Sequence, residues 1–366
     1  MPNKRIPWWE TQIGQTEYPL VKKVLASNFI NEGELTAKFE KELARLLGCR
    51  HAITATSGTM AIFLALKGVG VRPGDEVIVP DMTFIATANA VKLCGAKPVL
   101  VDVNESDLNI SIPALKKAIT PKTRAIVPVH VTGRAADMGA ILKIARQYKL
   151  AVVEDAAEAL MSKYRGKYLG TFGDAGCFSF SPNKTVTTGQ GGLIVTNSDK
   201  LAAKLHALKD QGRPVRGTGG DDKHDTVGYN LKFSNILAAV GLGQLGYLRK
   251  RTARMRRHYQ LYAANLKNIK GLELFSCDLA GGAVPQWTDI KTPKRNELAK
   301  HLRQKNMDTR NYWFPLHTQK PYRLPDTKFP HSTKVSPLSL WLPSAFTLTD
   351  RDILTVCREI KNFFKK

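Results

Sequence analysis

The chain has 366 residues, 43% of them hydrophobic, with 55 Lys and Arg against 31 Asp and Glu and a net charge of +24. Such a length supports a sizeable core and roughly two or three domains, and the charge favours anionic ligands. The five cysteines include no Cys-x-x-Cys pair, which argues against a disulfide scaffold or a thiolate zinc site and fits reduced thiols in the cytoplasm.

The opening MPNKRIPWWE lacks the apolar core of a signal peptide, and no run of about 18 apolar residues offers a membrane span. The stretch ELTAKFEKELARLLG places Leu35, Phe39, Leu43, Leu46 and Leu47 on one helical stripe and ends at Gly48. Short apolar runs follow at 76–80, 98–103, 124–131, 150–156, 176–181 and 192–197. They are too short for helices and too continuously apolar for one-sided strands, so they predict strands buried on both faces. Helical patterns such as ATANAVKLCG and DMGAILKIARQYK alternate with them, which predicts an α/β fold with a largely parallel sheet. Past about residue 245 the composition changes. The expected division is an N-terminal arm and large α/β domain over 1–245 and a smaller α+β domain over 246–366. The basic run RKRTARMRRHY reads as the exposed face of a long helix, with no zinc-finger, RRM or helix-turn-helix pattern beside it to suggest nucleic acid. TPKRNELAKHLRQKNM predicts a helix, and TLTDRDILTVCREIKNFF predicts a terminal helix capped by Thr349.

In open α/β sheets, ligands bind beyond the carboxyl ends of the strands, and there the chemistry-bearing residues gather. Ser57-Gly58-Thr59 turns into an apolar helix, offering amides to an anion or simply a cap. Phe84 follows a strand and either joins the core or stays available to a flat ring. Glu154 and Asp155 end the next run. A carboxylate there needs a partner when buried, and caps a helix or holds a protonated ring nitrogen. Ser179 and Ser181 stand beside Lys184 in SFSPNKTVTTGQGG, which is either a solvated loop or the seat of a covalently bound cofactor.

The ordered segments SGTMAIFLAL, PGDEVIVPDMTFIATANAV, GAKPVLVDV, VVEDAAEAL, GDAGCFSFSPNKTVTTGQGGLIVTN and GYNLKFSNILAAVGLGQL closely resemble the sugar aminotransferases of the DegT/StrS group. These are fold-type-I enzymes that depend on pyridoxal 5'-phosphate (PLP). The resemblance implies that Lys184 carries the cofactor, Asp155 faces its pyridine nitrogen and Phe84 stacks on its ring. It likewise implies a phosphate cradle from Gly58, Thr59 and Ser179, Glu158 near the ring hydroxyl, and Asn230 reaching the phosphate of a partner subunit in a homodimer with shared sites. His317 and Arg310, in and just before NYWFPLHTQKPY, are the expected substrate contacts. That segment is similar to its counterpart in the GDP-perosamine synthase branch.

The implied reaction transfers an amino group from glutamate to a nucleotide-linked keto sugar, such as GDP-4-keto-6-deoxymannose, for amino-sugar and surface-polysaccharide synthesis. A sugar dehydratase on the same scaffold is the alternative, as is amination at a 3-keto position. The dehydratase branch has histidine in place of the cofactor lysine, so Lys184 argues against it. A non-catalytic basic binding protein is the remaining alternative. Two residues depart from the family pattern: Gln190 stands where Glu is usual and Lys232 where Arg is usual.

Overall fold

The computed structural model describes residues 4–215 and 222–365. Seven strands form the central sheet: β1 (His51–Ala55), β2 (Glu76–Pro80), β3 (Lys97–Val101), β4 (Thr123–Ile126), β5 (Ala151–Asp155), β6 (Ala175–Ser179) and β7 (Gly192–Thr196). Their spatial order is β1-β7-β6-β5-β4-β2-β3. Pairing is parallel from β3 through β6, while β7 runs antiparallel to both of its neighbours. The apolar runs behave as expected: all five residues of β2 and of β7 are buried, because helices cover both faces of the sheet.

One face packs on helices Gly58–Gly68, Ala86–Leu93 and Asp199–Lys209. The other packs on Met138–Tyr148 and on Glu34–Leu47. In the latter helix Phe39, Leu43 and Leu47 are buried and Leu35 and Leu46 partly so. Gly48 ends it in the left-handed region at φ 65°, where a side chain would be strained. Glu40 is also buried there, accepting from the Thr54 amide and hydroxyl at 2.8 Å each.

A second, antiparallel sheet is built from β8 (Glu273–Leu274), β9 (Asp289–Lys291), β10 (Arg310–Asn311) and β11 (Ser339–Trp341), in the order β8-β9-β11-β10. Helices Arg295–Gln304 and Asp350–Phe364 back it. Thr349 and Asp352 cap the latter reciprocally, which fixes the helix start expected from the sequence. The N-terminal arm belongs to this layer: Ile6 bridges Met307 and joins its core. The basic run lies within helix Leu248–Leu266, where Arg249, Lys250 and Arg257 form the expected exposed face while Arg251, Met255, His258 and Tyr259 point inward and are buried. The helix runs between two cores, with Leu248 in the large layer and Leu261, Tyr262 and Leu266 in the small one. Among the described residues no helix is long and apolar enough to cross a membrane.

Candidate active site

Strand β5 ends in two adjacent carboxylates, and the pleat sends them to opposite faces. Glu154 turns away from the cavity. It accepts from the amides of Gly170, Phe172 and Gly173 at 2.8, 2.7 and 2.7 Å and from His130 Nε2 at 3.0 Å. His130 Nδ1 accepts the Ala136 amide at 3.2 Å, so the imidazole proton sits on Nε2. Glu154 is therefore a structural knot.

Asp155 faces a cavity of about 250 Å³. Its Oδ2 accepts from Thr87 Oγ1 at 2.7 Å and its Oδ1 from the Ala157 amide at 3.2 Å. Burial pushes its carboxyl upward, while the Thr87 and Ala157 bonds and the nearby Lys184 ammonium pull it down. An ionised group in that position gains from a cation placed in the cavity.

The next strand, β6, delivers the lysine. A turn closed by the Lys184 amide on Ser181 O at 3.0 Å follows it. The loop is pinned by residues far away in the chain. Trp9 Nε1 and Thr11 Oγ1 donate to Pro182 O at 3.1 and 2.9 Å. Gln286 binds Asn183 O and Thr185 Oγ1 at 3.3 and 2.8 Å, and Arg251 Nη1 donates to Thr185 O at 2.9 Å. Lys184 is thus no solvated loop lysine: its side chain is 12% exposed, with Nζ 3.5 Å from Glu158 Oε1 and 5.0 Å from the Trp287 ring centre. Glu158 Oε2 accepts the Thr132 amide at 3.0 Å. Burial raises its carboxyl and Lys184 opposes the shift.

At the far end, Ser57 caps helix Gly58–Gly68 by accepting from the Met60 amide. A Cβ on Gly58 would lie 2.9 Å from Ser179 Cβ, and one on Gly192 only 2.2 Å from Ser57 O. Both glycines therefore allow the helix start and β6 to close up. Gly58, Thr59 and Ser179 line the cavity together. Helix-start amides beside a hydroxyl form an anion cradle. Phe84 lines the same cavity and is 54% exposed, so it is not a core residue; its ring is open to a flat partner.

The remaining wall is aromatic. Trp287, Trp313, Trp341 and Arg310 line the cavity, with the Arg310 guanidinium 4.9 Å from the Trp8 ring and 5.8 Å from the Trp341 ring. All five tryptophans of the chain meet here. The sequence reading did not find Trp8, Trp287 or Trp341, because no periodicity marks them; the only signal was the rarity of the residue.

His317 does not line the cavity. It is fully buried, with Nδ1 2.6 Å from Asp81 Oδ2, Nε2 3.2 Å from Asp326 Oδ1, and its ring stacked 4.5 Å from Phe329. The expected substrate contact is instead a strut tying this segment to the end of β2, and the segment's cavity residues are Arg310 and Trp313. Asn230 also lies outside its own chain's cavity. It lines a separate hollow of about 540 Å³ with Lys209, Arg213 and Lys232, where Lys232 Nζ binds Asp210 Oδ1 at 2.9 Å. Gln190 lines the Lys184 cavity.

These features fit pyridoxal phosphate: an anion cradle at one end, an exposed ring face along the side, a carboxylate on the floor and a half-enclosed lysine. The fold and the site define a PLP-dependent aminotransferase. The chain belongs to the DegT/DnrJ/EryC1/StrS aminotransferase family, whose profile matches residues 11–361. It is 37% identical over 366 residues to the GDP-perosamine synthase of Escherichia coli O157:H7, covering 99% of each chain. It is 39% identical to that of Caulobacter vibrioides, covering 88% of each. Among solved structures it is similar to S. venezuelae DesV, described in complex with a ketimine intermediate, with a TM-score of 0.90, 32% identity, and 96% and 94% of the two chains covered. It is a PLP-dependent sugar aminotransferase.

Proposed function

We propose that the substrate is a GDP-linked 4-keto-6-deoxyhexose, GDP-4-keto-6-deoxymannose, aminated with glutamate as donor in the cytoplasm, for surface-polysaccharide synthesis. The observation that carries this reading is the cavity wall. Arg310 lines the cavity with three tryptophans and, among the described residues, is in no ion pair. A guanidinium held by ring faces and not by a carboxylate suits a diphosphate, and flat apolar rings suit a sugar face or a base. The names of the similar E. coli and C. vibrioides proteins point to the GDP-linked sugar. The free thiols fit a reducing compartment.

When bound, PLP supplies an electron sink and a carrier for the amino group. The chain does the rest. Gly58, Thr59 and Ser179 would hold the phosphate, Phe84 would face the ring, and Asp155 would keep a proton on the ring nitrogen. Lys184 Nζ would anchor the cofactor and would be the amine that takes and returns the substrate proton. Glu158, 3.5 Å from Nζ, holds that amine in place. The tryptophan wall excludes water, which strengthens every charge interaction inside.

Asn230, outside its own cavity, completes the site of a neighbouring copy in a homodimer. Mixing Lys184→Ala chains with Asn230→Ala chains would then restore part of the activity, since one mixed site has both residues intact. No recovery after verified subunit exchange places each site within one chain. The substrate is tested by a screen of GDP-, UDP- and dTDP-linked 3-keto and 4-keto sugars with glutamate, reading the aminated product by mass spectrometry. Preferential turnover of a UDP- or dTDP-linked sugar would move the assignment to that nucleotide.

A further inference from the structure

Apart from Arg251, which pins the Lys184 loop, the basic run of helix Leu248–Leu266 has no part in the reaction described. Lys250, Arg251, Arg254 and Arg257 line one flank of a groove of about 830 Å³, whose other wall is the segment from Phe346 to Arg351. The groove shares no lining residue with the Lys184 cavity. It holds five cationic side chains, Lys250, Arg251, Arg254, Arg257 and Arg351, against the single carboxylate Asp350. Asp350 is already divided, accepting from Arg254 Nη1 at 2.6 Å and Arg257 Nε at 3.0 Å. Among the described residues neither Lys250 nor Arg351 has an ion-pair partner.

Arg251 lies at the back of the groove, 2% exposed. It donates to Thr185 O and Gln12 O at 2.9 Å each and to Gln244 Oε1, all uncharged acceptors, and its Nε has none. Its guanidinium lies 4.3 Å from the Phe346 ring. Burial pushes it down to about 10. Like charges held within a Debye length, about 8 Å at physiological ionic strength, repel one another. Arg251 has the Glu17 charge nearby, but Lys250, Arg254, Arg257 and Arg351 share only Asp350, and such a cluster is costly to hold together unless an anion completes it.

We propose that this groove is a second anion site that takes a small diphosphate or phosphate ester, bound by Lys250, Arg254, Arg257 and Arg351. Each arginine offers several N–H donors, of which Asp350 uses only part, and guanidinium forks match phosphate oxygens. The concave shape favours a compact ligand over a duplex or a bilayer, which would ask for a flat or protruding basic face.

The test uses PLP-loaded enzyme, so that the Gly58–Ser179 cradle is occupied, and inorganic pyrophosphate as the probe. Calorimetry and thermal melting are run on wild type, on Lys250→Ser/Arg351→Ser, whose exposed and unpaired side chains make misfolding an unhelpful explanation, and on Arg310→Ala. The expected result is saturable binding and a raised melting temperature in wild type and Arg310→Ala. Affinity should fall about tenfold or more in the double variant, as loss of two charged contacts requires. Unchanged affinity in the double variant, loss in Arg310→Ala, or no saturable binding in wild type overturns the proposal. Tighter saturable binding of a short DNA duplex or of phosphatidylglycerol vesicles than of pyrophosphate assigns the groove to a macromolecular surface and also overturns it.

Discussion

The cavity has a floor and a wall, and they are made differently. The floor comes from strand ends and the turn into helix Gly58–Gly68: Gly58, Asp155, Ser179 and Lys184, each fixed by backbone geometry or directional hydrogen bonds. The wall comes from the two extremes of the chain, Trp8 and Trp9 at one and Trp287, Arg310, Trp313 and Trp341 at the other, held by ring contacts. The buried indole N–H groups of Trp8, Trp287 and Trp341 have no acceptor. Directional bonding makes a floor that reacts in one way. Apolar packing is indifferent to partner orientation, so a wall of this kind adapts to a substrate without disturbing the chemistry below.

The sharpest break in this comparison is at Lys184. Lys184→Ala should abolish transamination, and borohydride should fix cofactor to the peptide holding Lys184 in the wild type, which should be yellow. Label on another lysine moves the reacting centre off this floor. Next is the pair that ends β5. Asp155→Asn should lower turnover by on the order of 10²–10⁴, the usual range for a proton-holding group, with a melting curve near wild type, because only two donors lose their charged acceptor. Glu154→Gln should do the reverse. It turns an N–H toward a nest of N–H donors, which costs about 1–3 kcal/mol for each group left unpaired, so it should lower the melting temperature more than Asp155→Asn does. Equal behaviour of the two variants would erase the division of labour at this strand end.

On the wall, Arg310→Ala should raise KM for the nucleotide sugar about tenfold, as loss of one charged contact implies, and flatten its salt dependence. The half-reaction with the amino donor alone should keep its rate. A rate loss confined to the donor half would assign Arg310 to the donor carboxylate instead. The smallest effect lies behind the wall. His258 Nε2 donates to Leu348 O at 3.0 Å, and burial pushes its imidazole down to about 4. The unfolded chain, near the ordinary 6.5, binds the proton more readily than the folded one across the window from 6.5 to about 4. Stability is therefore full above that window and declines as pH falls through it. His258→Gln keeps a donor for Leu348 O and removes the titration, so its melting temperature should drop less than that of wild type between about pH 7 and about pH 5. Parallel curves would show that His258 does not drive the acid response.

The floor was legible in the sequence because its parts are local. A buried strand, a small-residue turn and a reactive side chain follow one another within a few residues, and the ordered motifs carry the resemblance that assigned Lys184 and Asp155. The same locality revealed the strands and the Thr349 cap, whose signals are spacing and short-range bonding. What local pattern left open was the choice of face. Glu154 and Asp155 are neighbours; the resemblance chose Asp155, and the four donors around Glu154 give the physical reason. His317 sits in a motif that suggests substrate, yet tertiary packing pairs it with Asp81 and buries it. The basic helix does expose Arg249, Lys250 and Arg257, but nothing local shows that Phe346–Arg351 lies along one flank or that Arg251 is buried. The wall was least legible of all, since its tryptophans come from opposite ends of the chain. Local signals determine elements and the chemistry at their ends, but contacts between distant residues follow from how apolar faces are mutually buried, and only the folded chain decides that.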